Sequence, residues 1–197
     1  MPPAVSPHAP RLGRDAPVLD AFPVDPYGVE LEDTLVRGAV LQHEQLATLT
    51  LTDVVLDGCD LAGTVARRVT LRRVELRGCR LTGTLLSQAT LEDVLVDGAS
   101  AELVGLAGAR LSRVAVSSSR LTEASLQEAE LRHVLLRDVD LTGADLSEAT
   151  LSACELRGCT IEELRGAAAL RGVAMPWQDA VAAAPVLAQA LGIELLD

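Results

Sequence analysis

Apolar residues recur every fifth position through most of this 197-residue chain. In LTGADLSEATL, Leu141, Leu146 and Leu151 are five apart, and Ala144 and Ala149 each stand two residues before a Leu. A buried helical face repeats about every 3.6 residues and a strand face about every 2, so period five fits neither. Let the Leu position be i. Counting by fives from Leu31 to Ile161 gives 27 positions, filled by 21 Leu, three Val (Val36, Val96, Val116), two Ala (Ala66, Ala101) and Ile161. The i−2 positions are nearly as regular, with nine Val, eight Ala, four Cys, three Thr and one each of Ser, Leu and Glu. The other three positions of each unit carry most of the charge.

Two inward residues per five imply a short straight segment and then a corner. Four corners close a square, so one coil takes 20 residues and climbs one strand spacing, about 4.8 Å. Gly stands at i+2 in nine units, where a positive φ suits the corner. Each coil then buries its Leu and small residues against its neighbours. Two places disturb the interior, Glu44 and the irregular unit ASAEL around Ala101. Glu44 takes an i−2 position, and burying an unpaired carboxylate is costly, so it is expected to turn outward. Ala66 and Ala101 underfill the interior.

The units ADLSEATL, CDLAG and AELRH resemble the A(D/N)LXX consensus of pentapeptide-repeat proteins, and the likeness spans residues 29–163. It implies an all-β solenoid, a right-handed quadrilateral β-helix, which agrees with the corner geometry. Many family members place Phe at i; here none does, and Leu fills the interior. The expected organisation is a Pro-rich arm (1–28), the β-helix (29–163) and a short α-helical cap and dimerisation segment (164–197).

The arm holds seven of the nine prolines, and Phe22 and Tyr27 are expected to shield the first coil. At the other end, MPWQDAVAAAPVLAQALGIELLD reads as a helix near 178–184 capped by Asp179. A second turn follows from Pro185 to Leu191, then Gly192, and 193–195 as a short strand. Trp177, Val181, Val186, Leu187, Leu191 and Ile193 exceed what a cap needs, which predicts a homodimer through this segment.

Composition narrows the function. Aromatics make up only 2% of the chain, as a narrow coil interior requires, and the net charge is −11. No run of 18 apolar residues and no apolar leader is present, so a cytoplasmic chain with no membrane span is expected. Cys59, Cys79, Cys154 and Cys159 all occupy i−2, which reads them as small core residues. Cys59 and Cys79, one coil apart, come within disulfide range, although free thiols are expected in a cytoplasmic chain. No nucleophile–base pair, phosphate loop or zinc spacing is evident, so neither catalysis nor a cofactor or metal is expected.

The surface remains. Some members of the resembled family, the mycobacterial fluoroquinolone-resistance and Qnr-type proteins, imply a DNA-mimicking rod that binds DNA gyrase or a related type II topoisomerase, with no direct nucleic-acid binding. Repeats 29–163 hold 22 acids and 13 Arg. A rod of about 32 Å would carry roughly 19 charges as duplex DNA, so the mimic is imperfect. A basic band, Arg67, Arg68, Arg72, Arg73, Arg77 and Arg80, interrupts it. The expected binding acids are Asp60, Asp138, Asp140, Asp145, Glu148, Glu162 and Glu163. The alternative is a protein-interaction scaffold using an apolar stripe at i−1 on the Val36 face, Leu35, Val55, Leu95 and Leu135.

Overall fold

Val54, Val74, Val94, Val114 and Val134 pair in successive strands, each 20 residues from the last. That register, repeated without a slip, defines the architecture of the computed structural model, which describes residues 5–25 and 27–195. The main strands are β2 (Gly28–Arg37), β3 (Gln45–Asp57), β4 (Val65–Arg77), β5 (Thr90–Asp97), β6 (Arg110–Ser117) and β7 (Glu130–Arg137). They stack in parallel, in chain order, after the two-residue β1 (Val18–Leu19). β8 (Thr150–Ser152) and β9 (Glu155–Arg157) both pair with β7 and form the last coil. The chain is a right-handed quadrilateral β-helix of about seven coils. Coil one starts at Val29, and the later coils start at residues 49, 69, 89, 109, 129 and 149.

The sequence period maps onto this coil directly. Of the 27 i residues, all are buried except Val96, Leu136 and Leu151, which are half-buried against the core. Glu44 is exposed, as the cost of burying it requires. The corner residue at i+2 takes a positive φ in every unit except those of Leu46 and Ala66, where Thr48 and Arg68 stay extended. There the strand runs on around the corner, which is why β3 and β4 reach 13 residues. All nine corner glycines are left-handed, but so are 16 non-glycine residues, Leu103 (φ 59°) and Glu148 (φ 61°) among them. Strands after β4 occupy only the Leu31 and Val36 faces; the Leu41 and Leu46 faces are built of turns joined by single bridges such as Ser100↔Arg120 and Gly105↔Ser125.

A narrow apolar void of about 100 Å³ follows the axis, lined by Leu, Val and the undersized Ala101. Cys59, Cys79 and Cys154 are buried in this core and Cys159 is half-buried, all as free thiols. The neighbouring Cys59 sulfur and burial push the Cys79 thiol up.

The ends differ in part from expectation. Phe22 is buried over the first coil, whereas Tyr27 is 77% exposed and shields nothing. At the C-terminal end, a 3₁₀ turn (Ala167–Leu170), α1 (Trp177–Ala182) and α2 (Ala184–Ala190) close the last coil. Gly166 starts the 3₁₀ turn at φ 69°, and a Cβ there would lie 2.3 Å from Ser147 N, so only glycine lets the cap approach. Asp179 does not cap α1: Pro176 precedes the helix, and Asp179 Oδ2 instead accepts the Gly158 N–H at 2.6 Å, tying the helix to the last coil. Residues 193–195 form no strand, because the chain has left the sheet edge by then.

Candidate functional site: an acidic surface on two faces

Side chains one coil apart in the same column stand a strand spacing from each other, so charge in this fold is arranged in vertical rows. Most arginines of the repeats are consumed within those rows. Arg73 holds Asp53, Arg80 reaches Asp60 at 3.4 Å, and Arg120 Nε bonds Glu102 at 2.9 Å. Arg113 bonds Asp93 and Glu92 together. Arg77 turns along its own strand to Glu75.

This pairing leaves the acids unevenly neutralised. On the Leu41 and Leu46 faces of coils five to seven, Glu123, Glu128, Asp140, Glu148, Glu162 and Glu163 have no ion-pair partner among the described residues. Glu128 and Glu148 occupy the same corner one coil apart, and both side chains are exposed. Asp138, also exposed, stands at the corner leading into the Leu41 face. The arginines on this side, Arg120 and Arg165, are engaged by Glu102 and Asp145. The pattern predicts repulsion among like charges that only a cationic partner or counter-ions relieve.

The expected binding acids therefore divide. Asp138, Glu148, Glu162 and Glu163 are exposed; Glu162 and Glu163 share the Leu41 face and its corner, while Asp138 and Glu148 stand at the two outer corners of the Leu41 and Leu46 faces. Asp140 is half-buried, because its carboxylate accepts the Thr142 N–H (2.9 Å) and hydroxyl (2.7 Å). Asp60 lies four coils away, near the other end, and is held by Gln42, Ala62 N and Arg80. Asp145 is buried, 5% exposed, and is not an open surface charge. It accepts Ser147 N at 2.9 Å and Gln127 at 2.6 Å, and meets Arg165 at 3.3 Å. Burial pushes its carboxyl up, but the Ser147 and Gln127 hydrogen bonds and the Arg165 charge outweigh that and hold it below its usual value. Glu123 and Glu128 join the acidic surface, although no residue pattern distinguishes them from other corner acids. Their missing partners emerge only when the columns are laid out.

Match to the pentapeptide-repeat model, in eight copies, covers residues 51–88, 103–138 and 124–162. The chain belongs to the pentapeptide-repeat family. No curated protein sequence matches it. Among solved structures, this pentapeptide-repeat protein is similar to trypsin-treated QnrB1, a plasmid-mediated fluoroquinolone resistance protein, at 16% identity and a TM-score of 0.43, covering 92% of this chain and 98% of that one. It is also similar to HetL, a pentapeptide-repeat protein involved in heterocyst differentiation regulation from the cyanobacterium Nostoc sp. strain PCC 7120. That likeness is 20% identical with a TM-score of 0.30, over 81% of this chain and 91% of the other. Family membership rests on the repeats themselves, not on these likenesses.

Two other surfaces bear on partners. In the helical cap, Trp177 is 80% exposed and Leu191 74%, with Val181 and Ile193 also exposed. Val186 and Leu187, expected beside them, turn inward and pack on the core. The expected apolar stripe is weaker than its residue types suggest: Leu35, Leu95 and Leu135 are half-buried and Val55 is buried. No helix among the described residues is long and apolar enough to cross a membrane. No group of His, Cys, Asp and Glu among them could hold a metal ion.

Proposed function

We propose that this pentapeptide-repeat protein is a non-catalytic, partial DNA mimic that binds DNA gyrase or a related type II topoisomerase and modulates it, as some members of its family do. One observation carries the reading: arginines pair nearly every acid of coils two to four, whereas Glu123, Glu128, Asp140, Glu148, Glu162 and Glu163 of coils five to seven have no ion-pair partner among the described residues and lie on two adjacent faces. A protein surface that receives duplex DNA presents cations in rows to phosphates about 1.7 Å apart along the axis. Glu128 and Glu148 one strand spacing, about 4.8 Å, apart, with Glu123 and Glu163 two coils apart at the next corner, offer such a surface a sparser version of the same field. The basic band of coils two and three separates these acids from those of coil one that lack an ion-pair partner among the described residues, Glu30, Glu32, Asp33 and Glu44.

The exposed Trp177, Val181, Leu191 and Ile193 suit a second copy of the chain, joined cap to cap. Such a dimer puts two acidic segments on either side of its centre and lengthens the charged rod. A topoisomerase partner places the protein in the cytoplasm. The second reading is a scaffold that docks an unrelated protein, and the exposed apolar cap serves it equally well. Direct binding of purified gyrase at two salt concentrations separates the two. Mimicry requires affinity that falls steeply with salt, whereas apolar docking holds or strengthens.

A further inference from the structure

The N-terminal arm bonds to the outside of the coils. It lies lengthwise on the solenoid, across the coils, and is fastened at three levels. Gly13 N donates to Asp33 Oδ1 at 2.6 Å, Arg11 N to Asp53 Oδ1 at 2.9 Å, and His8 N to Asp93 Oδ1 at 3.1 Å. The three acceptors share one column, the corner of the Leu31 face, in coils one, two and four. An extended chain advances about 3.3 Å per residue, so three residues from Arg11 to His8 span roughly 10 Å, close to two coil spacings. Coil three supplies no acceptor, since Arg73 occupies that corner and turns back to Asp53. Below the anchors, Pro17 O accepts Leu35 N at 2.9 Å and β1 continues the sheet.

The corner acids under the arm differ from those elsewhere. Asp53 is 9% and Asp93 5% exposed, whereas Glu128, Glu148 and Glu163 at equivalent corners are open to solvent. Val55, two residues past Asp53, is 5% exposed, although Leu95 and Leu135 in its column are half-buried. The arm itself is thinly held. Within residues 5–17, only Pro7, Pro10, Leu12 and Ala16 are even half-buried. A segment held by the three backbone donors, the His8 Nδ1 contact to Asp93 and the Pro17 O bond to Leu35 N, with little apolar burial, opens far more readily than the coils it crosses.

We propose that residues 5–17 are a strap that opens and closes independently of the β-helix and gates the side of coils one to four. Closed, it covers the Asp53 and Asp93 carboxylates and the Val55 end of the apolar column. Open, it exposes both to solvent while the coils stay folded. The strap thereby sets when this side is available, separately from the acidic faces at the other end.

Hydrogen exchange of the full chain, read amide by amide, tests the opening. The His8, Arg11 and Gly13 amides should be protected relative to Ser6 and Ala9, yet exchange at least a hundredfold faster than Val54 and Val94. Exchange as slow as those coil amides would show that no separate opening exists, and exchange at the rate of a free peptide would show no closed strap. The cover is tested in the full chain with Arg11→Pro and Gly13→Pro, which remove two donors and leave every coil residue in place. A soluble paramagnetic probe should relax the Val55 methyls several-fold more in this variant, with the Leu135 methyls unchanged and the melting midpoint kept. Unchanged Val55 relaxation, or loss of the coils together with the strap, would overturn the proposal.

Discussion

Asp93 and Arg113 occupy the same corner one coil apart and meet as a bidentate pair, with Nε 2.7 Å from Oδ1 and Nη2 2.9 Å from Oδ2. The same carboxylate accepts the His8 N–H and lies 2.9 Å from His8 Nδ1. One buried acid thus joins coil four, coil five and the N-terminal strap.

Arg113 first, with the His8 contacts adding, holds the Asp93 carboxyl well below the usual carboxylate range; Arg73 and Arg11 lower Asp53 in the same direction. A depressed folded pKa contributes stability that is present above the unfolded value, about 3.9 for Asp, and is lost as pH falls below it. The melting midpoint should therefore be flat near neutral pH and fall below about pH 4. Asp93→Asn should lower neutral stability by about 2 kcal/mol and flatten that acid limb. A variant with the acid limb of the wild type would contradict the assignment.

Leu131 is 4% exposed and faces the dry axis. Leu131→Asp places an unpaired charge there and should destabilise by more than about 4 kcal/mol, in the range where a domain fails to fold. Denaturant titration checks it; a midpoint like that of the wild type would refute the inward period.

Leu103 sits at a corner with φ 59° and is 53% exposed, so its side chain contributes little burial and its backbone is strained. Leu103→Gly removes a left-handed penalty of about 1–2 kcal/mol and adds unfolded-state entropy, for a net gain of about 0.5–1 kcal/mol. Calorimetry should show a raised melting temperature. A loss would mean that the exposed leucine packs against a partner.

Trp177 and Val181 lie on one turn of α1, both exposed. Trp177→Glu with Val181→Glu should convert a dimer to a monomer in sedimentation velocity without altering the melting curve. A wild-type chain that sediments as a monomer at micromolar concentration would remove the dimer.

The coil was legible in the sequence because its interior admits two residue classes at fixed positions, and a 27-unit run leaves no other register. The left-handed corners were legible where glycine marked them and hidden where Glu148 or Leu103 takes the same φ. Asp145 illustrates what spacing alone misses. Its burial comes from an Asx turn to Ser147 and from Arg165 one coil later, both of which were present as Asp-Leu-Ser and as a 20-residue separation. The strap had no such signal, since Gly13, Arg11 and His8 use backbone donors that any residue carries. The split within the cap, Trp177 outward and Val186 inward, depends on how α2 meets the 3₁₀ turn and not on apolar content.

Under the proposed function, unpaired acids on coils five to seven engage a topoisomerase. A gyrase supercoiling titration with three purified proteins, at low and high salt, tests it most directly. Wild type should inhibit at up to tens of micromolar, more weakly as salt rises. Glu148→Arg with Glu163→Arg, both exposed and unpaired, should abolish inhibition. Arg67→Glu with Arg68→Glu, exposed on the basic band, should keep or strengthen it. No effect of the wild type, or equal behaviour of the two variants, would contradict the account.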